Sequence, residues 1–287
     1  MSTYRPSSIK RDRRTKAEME ELRDAIERTL RASHPMTLRQ CYYRLVTQGA
    51  IDKTEAEYRT VGRLLVEMRL ARRVPFRWLT DATRWVRRPT TYSSLADALQ
   101  ETLLCYRRSV WADQRVYCEV WCEKTALAGV LYPITEEFDV PLYIGVGYPS
   151  LTYRHACAEA IEAQGKPCHI YYLGDFDPTG VDISRKLEAD LRMLAPNTEI
   201  HFERIAVTRE QIVDLGLPTR PTKRTDSRAK RFRGRSVELD AIEPETLRAL
   251  VREKIEQHIN QRVLCALLRT EELERETLRQ VIGEYAS

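Results

Sequence analysis

Asp175 and Asp177 stand two residues apart in the run Leu-Gly-Asp-Phe-Asp-Pro-Thr-Gly over residues 173–180. The β-prone Cys-His-Ile-Tyr-Tyr-Leu before them reads as a strand. Pro178 stops it, and Gly180 permits a tight approach to a following helix. Two carboxylates held this close repel, raise one another's pKa, and are neutralised most simply by a divalent cation. Glu123 closes a second β-prone run, Val-Tyr-Cys-Glu-Val-Trp-Cys-Glu, and completes a three-carboxylate, all-oxygen set. Such a set suits magnesium, or manganese in its place, acting on phosphates. The same Asp-x-Asp-Pro-x-Gly spacing also suits an Asx-capped turn with no metal.

A second cluster lies in Thr-Leu-Arg-Gln-Cys-Tyr-Tyr-Arg-Leu, residues 37–45. A phenol with a pKa near ~10 is a weak nucleophile at neutral pH. Attack on a phosphodiester requires a cation or base beside it and positive charge over the developing oxygens. Arg39 precedes Tyr43 by four residues, one helical turn on the same face, and could hold the phosphate that Tyr43 attacks. Periodicity alone is equally served by Tyr42 and Tyr43 as core residues of an amphipathic helix, beside Cys41 and Leu45.

The elements that must position these groups follow from patterning. Met19, Leu22, Ile26 and Leu30 predict a helix over 16–32, and Thr37 caps a second over 37–48. Thr54 and Glu57 form a capping-box pair opening a third over 54–72. That helix and its end carry Arg59, Arg63, Arg69, Arg72 and Arg73. Residues 74–81 read as a short strand or wing edge. Three short helices and a hairpin-like tail describe a winged helix, whose third helix can enter a major groove. A helix over about 93–108 then leads to strands at 115–124, 140–147, 168–177 and 200–207 with helices between them. Strands alternating with helices make a mainly parallel α/β sheet, with ligand chemistry beyond the carboxyl ends of the strands. Glu123 and the Asp175–Asp177 pair fall at such ends. Residues 218–236 lack pattern and are strongly basic, including Lys223, Arg224, Arg228, Lys230 and Arg231. A long apolar helical stripe runs from Leu247 to Leu267, and a last helix is expected over 271–283. The organisation is a basic arm (1–15), a DNA-binding domain (16–92), a linker helix (93–112) and an α/β domain with C-terminal helices (113–287).

Charge agrees with that division. The 287 residues carry a net +5, but residues 1–92 hold 21 Lys and Arg against 11 Asp and Glu, and the other 195 hold 26 against 31. A basic module joined to a mildly acidic one suggests a polyanion partner. Seven dispersed cysteines disfavour a disulfide framework and a structural zinc. No uninterrupted apolar run approaches the ~18 residues of a membrane span, and the charged opening lacks a signal-peptide core. A cytoplasmic location follows as the expectation, nucleoid-associated or in host cytoplasm for a phage protein.

The Glu-Val-Trp-Cys-Glu-Lys segment (119–124), the Gly-Val-Gly turn (145–147) and Leu-Gly-Asp-Phe-Asp-Pro-Thr-Gly together resemble a Toprim domain, the metal-binding fold of topoisomerases, bacterial-type primases and some nucleases. The upstream Arg39-x-x-Tyr42-Tyr43 resembles the motif of the winged-helix domain in the topoisomerase VI A subunit and its meiotic double-strand-break relative. Winged helix before Toprim is that family's order, and stand-alone phage and bacterial mini-A proteins are the most similar in build. The resemblance covers roughly residues 35–265, including Ser-Val-Glu-Leu-Asp-Ala-Ile-Glu-Pro (236–244). It implies Tyr43 as nucleophile with Arg39 beside it, Glu123, Asp175 and Asp177 as metal ligands, Lys124 as a lysine of the catalytic set, and Gly147 and Gly180 as backbone-constraining glycines.

It further implies magnesium-dependent cleavage and rejoining of double-stranded DNA by a homodimer, the tyrosine of one chain working with the metal site of the other. The chain carries no Gly-x-x-x-x-Gly-Lys-Ser/Thr phosphate loop, so ATP-coupled strand passage would require a separate ATPase subunit. Two other functions fit the same residues. One is a Toprim nuclease that hydrolyses the phosphodiester directly; the other is a non-catalytic DNA-binding protein. RNA as substrate is a weaker third reading.

Overall fold

The computed structural model describes residues 14–80, 89–145, 147–222, 232 and 234–285. Three helices open it: α1 (Lys16–Ala32), α2 (Leu38–Thr47) and α3 (Glu55–Leu70). The first two begin with full capping boxes, Thr15 with Glu18 and Thr37 with Gln40. Thr54 caps α3 by accepting from the Glu57 amide. The Glu57 carboxylate pairs with Arg14 at 2.7 Å, so the expected box is half formed. Ile26, Leu30, Met36, Leu45 and Leu64 are sealed in the core of this unit, with Ala241 of the later chain packed against it, each burial worth about 1.5–3 kcal/mol. Over 74–81 the expected strand or wing edge is a 3-10 turn, Phe76–Trp78, and one parallel bridge from Met36 to Leu79. Pro75 offers no amide for a ladder, and the Trp78 amide closes the turn on Pro75 O at 3.1 Å.

Helix α4 (Leu95–Cys105) leads to a sheet of four strands, β1 (Tyr117–Cys122), β2 (Leu142–Ile144), β3 (Cys168–Leu173) and β4 (Ile200–Ala206). Their order is β2-β1-β3-β4, and every pairing is parallel. The crossovers carry α5 (Ala128–Glu137), α6 (Leu151–Glu162) and α7 (Pro178–Leu194). Both central strands are almost wholly buried, as expected where helices cover both faces. From β1 the chain steps outward to β2, then returns to β3 and moves the other way. The gap between the ends of β1 and β3 is therefore the topological switch point, where open α/β sheets bind ligands.

After β4 come α8 (Arg209–Asp214), α9 (Pro244–Glu256) and α10 (Gln261–Tyr285). The apolar stripe expected to be continuous from Leu247 to Leu267 breaks at 257–260, because the Asn260 side chain accepts from the Arg262 and Val263 amides and starts a new helix. The separate helix expected over 271–283 is the second half of α10. Leu247, Val251 and Ile255 lie in the sheet's own core. Helix α10 packs along α4. No helix among the described residues is long and apolar enough to cross a membrane.

Glu119 lies in the middle of β1 and is fully buried. It accepts from Trp121 Nε1 at 2.8 Å, while its Oε1 has no partner among the described residues. Burial pushes its carboxyl up to about 7. A carboxyl raised in the folded state binds its proton more tightly there, so stability falls as pH rises from about 4.5 to 7 and stays lower above that window. The cost at pH 8 is about 3 kcal/mol. Glu119→Gln removes the ionisation. Thermal melts from pH 4 to 9 are expected to show the variant gaining on the wild type as pH rises; parallel profiles would refute this.

Candidate functional site

Glu123 is the residue after β1, with its amide paired to Leu173 O at 2.9 Å. Its Oε2 accepts from the Asp175 amide at 3.2 Å and the Tyr172 hydroxyl at 3.5 Å. Space here is the reason for two glycines. A Cβ on Gly174 would lie 2.7 Å from Glu123 Oε2, and one on Gly180 2.3 Å from the Asp175 carbonyl. Burial and the neighbouring Asp175 raise the Glu123 pKa. Asp175 Oδ1 accepts from the Leu239 amide at 2.8 Å and meets Lys124 Nζ at 3.0 Å. Burial raises its pKa against the opposing pull of Lys124. Asp177 caps α7 by accepting from the Gly180 amide through Oδ1 at 2.8 Å, the Asx-turn geometry read as one alternative above. Its Oδ2 lies 3.8 Å from Arg220. Gly147 takes φ +71°, a left-handed value that glycine adopts at no cost.

Lys124 connects the acidic loop to the chain around residue 240. Its Nζ lies 2.6 Å from Asp240 Oδ2, 3.0 Å from Asp175 Oδ1 and 3.8 Å from Glu238 Oε2. Burial opposes this charge, but Asp240, Asp175 and Glu238 outweigh burial and raise the ammonium pKa. Asp240 Oδ1 also accepts from Thr37 Oγ1 at 3.4 Å, which ties the cap of α2 to the same cluster. Arg39 donates to Glu238 Oε2 at 2.6 Å, and Arg220 sits 2.8 Å from Glu238 Oε1. Burial raises the Glu238 pKa, but Lys124, Arg39 and Arg220 together bring it below the ordinary value.

The helical unit and the sheet unit thus face each other across a cleft of about 770 Å³ lined by Arg39, Tyr58, Arg69, Glu123, Lys124, Asp175 and Asp240. Tyr43 is 6% exposed, packed edge-on against Tyr42, with Lys53 Nζ 5.2 Å from its ring centre. Burial and the charge of Glu238 raise its phenol pKa, while Arg39, Arg220 and Lys124 pull the other way. Arg39, Lys124, Glu123 and Asp175 are brought together around the cleft, whereas Tyr43 is not among its lining residues but lies within electrostatic reach of Glu238 and Arg39.

The arginines of α3 divide. Arg69 lines the cleft and stacks on Phe76 at 4.5 Å. Arg59 and Arg63 are exposed and pair along the helix with Glu55 and Glu67. Arg72 is exposed and ends α3 with φ 58°. Arg73 is held by Glu20, Asp24 and Glu27 of α1, so its charge is matched inside the helical unit. Lys223, Arg224, Arg228, Lys230, Arg231 and the arm over 1–13 lie outside the described residues.

Sequence reasoning assigned no individual role to four residues that shape this site. Glu238, Asp240 and Arg220 are placed by two antiparallel bridges, Phe176 with Val237 and Arg220 with Ser236. Arg204 of β4 donates to the carbonyls of Gly174 (2.8 Å), Asp175, Gly180 (3.3 Å) and Val207 (3.2 Å), fixing the backbone of the acidic loop. A lone arginine inside a β-prone run was its one available signal.

The donor set fits a hard divalent cation. Glu123, Asp175 and Asp177 supply oxygens only, and Glu123 is desolvated with no cation in an ion pair with it among the described residues. No three acidic, histidine or cysteine groups among the described residues converge on one point as they stand; Lys124 holds Asp175 and the α7 amide holds Asp177. Against known proteins, the chain matches no family model and no curated protein.

Proposed function

We propose that this chain is a divalent-metal-dependent DNA transesterase built like the A subunit of topoisomerase VI, a winged-helix unit followed by a Toprim unit. The observation that carries the reading is the cleft itself. Glu123 and Asp175 at the switch point of the parallel sheet face Arg39 of the helix that bears Tyr43. Glu123, Asp175 and Asp177 would hold magnesium or manganese, which when bound supplies Lewis-acid polarisation of a phosphoryl oxygen. Arg39 orients the scissile phosphate. The Tyr43 phenol gives up its proton as its oxygen bonds to phosphorus, the bond from phosphorus to the sugar oxygen breaks, and the departing sugar oxygen takes up a proton that it returns on rejoining.

Trapping a covalent protein–DNA complex in magnesium or manganese tests the reading. A peptide left on the DNA end after protease treatment is the expected result. One observation favours a hydrolytic nuclease instead: Tyr43 is buried and its phenol pKa is raised. Cleaved ends free of peptide would establish hydrolysis. The same assay addresses the metal. Glu123→Ala and Asp175→Ala are each expected to abolish cleavage and leave salt-sensitive DNA binding in place, whereas cleavage that survives a chelator would defeat the metal assignment.

The resemblance also implies a C2 homodimer sharing sites between chains and a separate ATPase subunit for strand passage. Mixing Tyr43→Phe with Asp175→Ala, each inactive alone, restores single-strand cleavage if the site is shared. A mixture that stays inactive despite demonstrated subunit exchange excludes sharing.

A further inference from the structure

Cationic side chains from three separate segments meet one carboxylate, and a fourth stands close by. Arg39 comes from α2, Lys53 from the turn before α3, Lys124 from the end of β1, and Arg220 from the bridge to Ser236. Arg39 takes Glu238 Oε2 at 2.6 Å and Arg220 takes Oε1 at 2.8 Å, with Lys124 at 3.8 Å. Lys53 stands beside them, donating to Pro218 O at 3.2 Å; burial lowers its pKa, and Glu238 pulls the other way. Two guanidinium groups on two oxygens is how proteins hold the two non-bridging oxygens of a phosphodiester. Lys124 is already matched by Asp240 at 2.6 Å. Arg220 also lies 3.8 Å from Asp177 Oδ2, so the cluster is close to neutral as it stands and an incoming anion must displace Glu238 rather than add to it.

We infer that Arg39, Arg220, Lys53 and Lys124 form a phosphodiester-binding subsite, and that Glu238 fills it as a stand-in for phosphate until nucleic acid displaces it. The backbone under Glu238 is fixed: Val237 and Phe176 exchange hydrogen bonds at 2.9 and 3.0 Å, and the Leu239 amide is held by Asp175. Only the side chain has to swing away. The outer sides of both guanidinium groups are open, with Arg39 at 45% and Arg220 at 42% side-chain exposure against 9% for Glu238. The inference deepens the transesterase reading and rests on it for the identity of the phosphate as DNA.

The test uses Glu238→Gln of the full chain, titrated calorimetrically with inorganic phosphate and then with a 20-base-pair duplex across a salt series. Removing the internal competitor is expected to tighten phosphate binding about tenfold or more, because the open state no longer has to be won from a filled one. The slope of log affinity against log salt should stay at the wild-type value, because the wild type makes the same phosphate contact once Glu238 has swung away. Phosphate affinity that is unchanged or weaker in a variant melting like the wild type would overturn the inference. So would acetate binding as tightly as phosphate, which would make this a general carboxylate site. If Glu238→Gln fails to fold, Glu238→Asp, which retracts the charge by one methylene, should bind phosphate more tightly than the wild type and Arg220→Gln less tightly. Equal affinities in all three would again overturn it. Covalent trapping is scored separately. Adducts without tighter phosphate binding refute the subsite alone, and tighter phosphate binding without adducts in any variant refutes the transesterase alone.

Discussion

Tyr43→Phe is expected to eliminate the covalent protein–DNA complex while duplex binding and its salt dependence stay at wild-type levels. The separation should be clean because no hydrogen bond among the described residues uses the Tyr43 hydroxyl; Tyr43 contributes its ring to the packing with Tyr42 and its carbonyl to Thr47 Oγ1 at 3.0 Å. Removing an oxygen with no partner among the described residues is expected to cost little stability, well under the ~1 kcal/mol of an ordinary hydrogen bond. The chemistry has no such tolerance, since the nucleophile itself is gone. Denaturing gels of trapped complexes in manganese measure the loss, and a thermal melt measures the fold. An adduct that persists in Tyr43→Phe, mapped to a different residue, would end the assignment. Tyr42 serves as the internal control. Its hydroxyl donates to Thr54 O at 3.1 Å, so Tyr42→Phe should loosen the start of α3 without touching adduct yield.

The helices and strands were legible because their patterns are local. Every expected helix in the first 70 residues is present with its cap, and all four strands lie within the runs that suggested them. The acidic residues were legible for a related reason: a parallel strand ends where its apolar run ends, and ligands gather there. Features that depend on distant chain were not legible. Val-Pro-Phe-Arg-Trp-Leu has strand-like composition, yet its one bridge partner among the described residues is Met36, more than forty residues before Leu79. Glu238 and Asp240 sit in a stretch with no periodicity, and only the pairing of 236–237 with 220 and 176 turns them toward Lys124 and Arg39. Arg73 looked like a free phosphate contact because three acids on α1 that claim it are some fifty residues away in sequence. Charge patterning along one helix cannot reveal a partner on another.

Lys124→Met is expected to be the most destabilising single change at the junction of the two units. Asp240 is 2% exposed, and Lys124 is its closest cation at 2.6 Å. Deleting one partner of a buried pair leaves the other charge without compensation, at a cost of about 3–5 kcal/mol. Asp175 loses its 3.0 Å partner in the same step. Urea denaturation at pH 7 should show the loss, and adding Asp240→Asn to Lys124→Met should recover a large part of it, since a neutral amide needs no counter-charge. That non-additivity distinguishes charge from packing: if Lys124 mattered only as an aliphatic stem, the second substitution would add cost rather than remove it. The pH dependence carries a definite sign. The ammonium pKa is raised in the folded chain, so its contribution is fully present below the ordinary lysine value near ~10.4 and fades only as pH climbs above it. Lys124→Met should behave in the opposite way, regaining stability as pH falls from 7 toward 5 and the stranded carboxylates take up protons. A variant that stays as stable as the wild type at pH 7 would show that Asp240 finds compensation elsewhere, and Lys124 would then lose its place as the tie between the sheet's acidic edge and the helix that carries Arg39 and Tyr43.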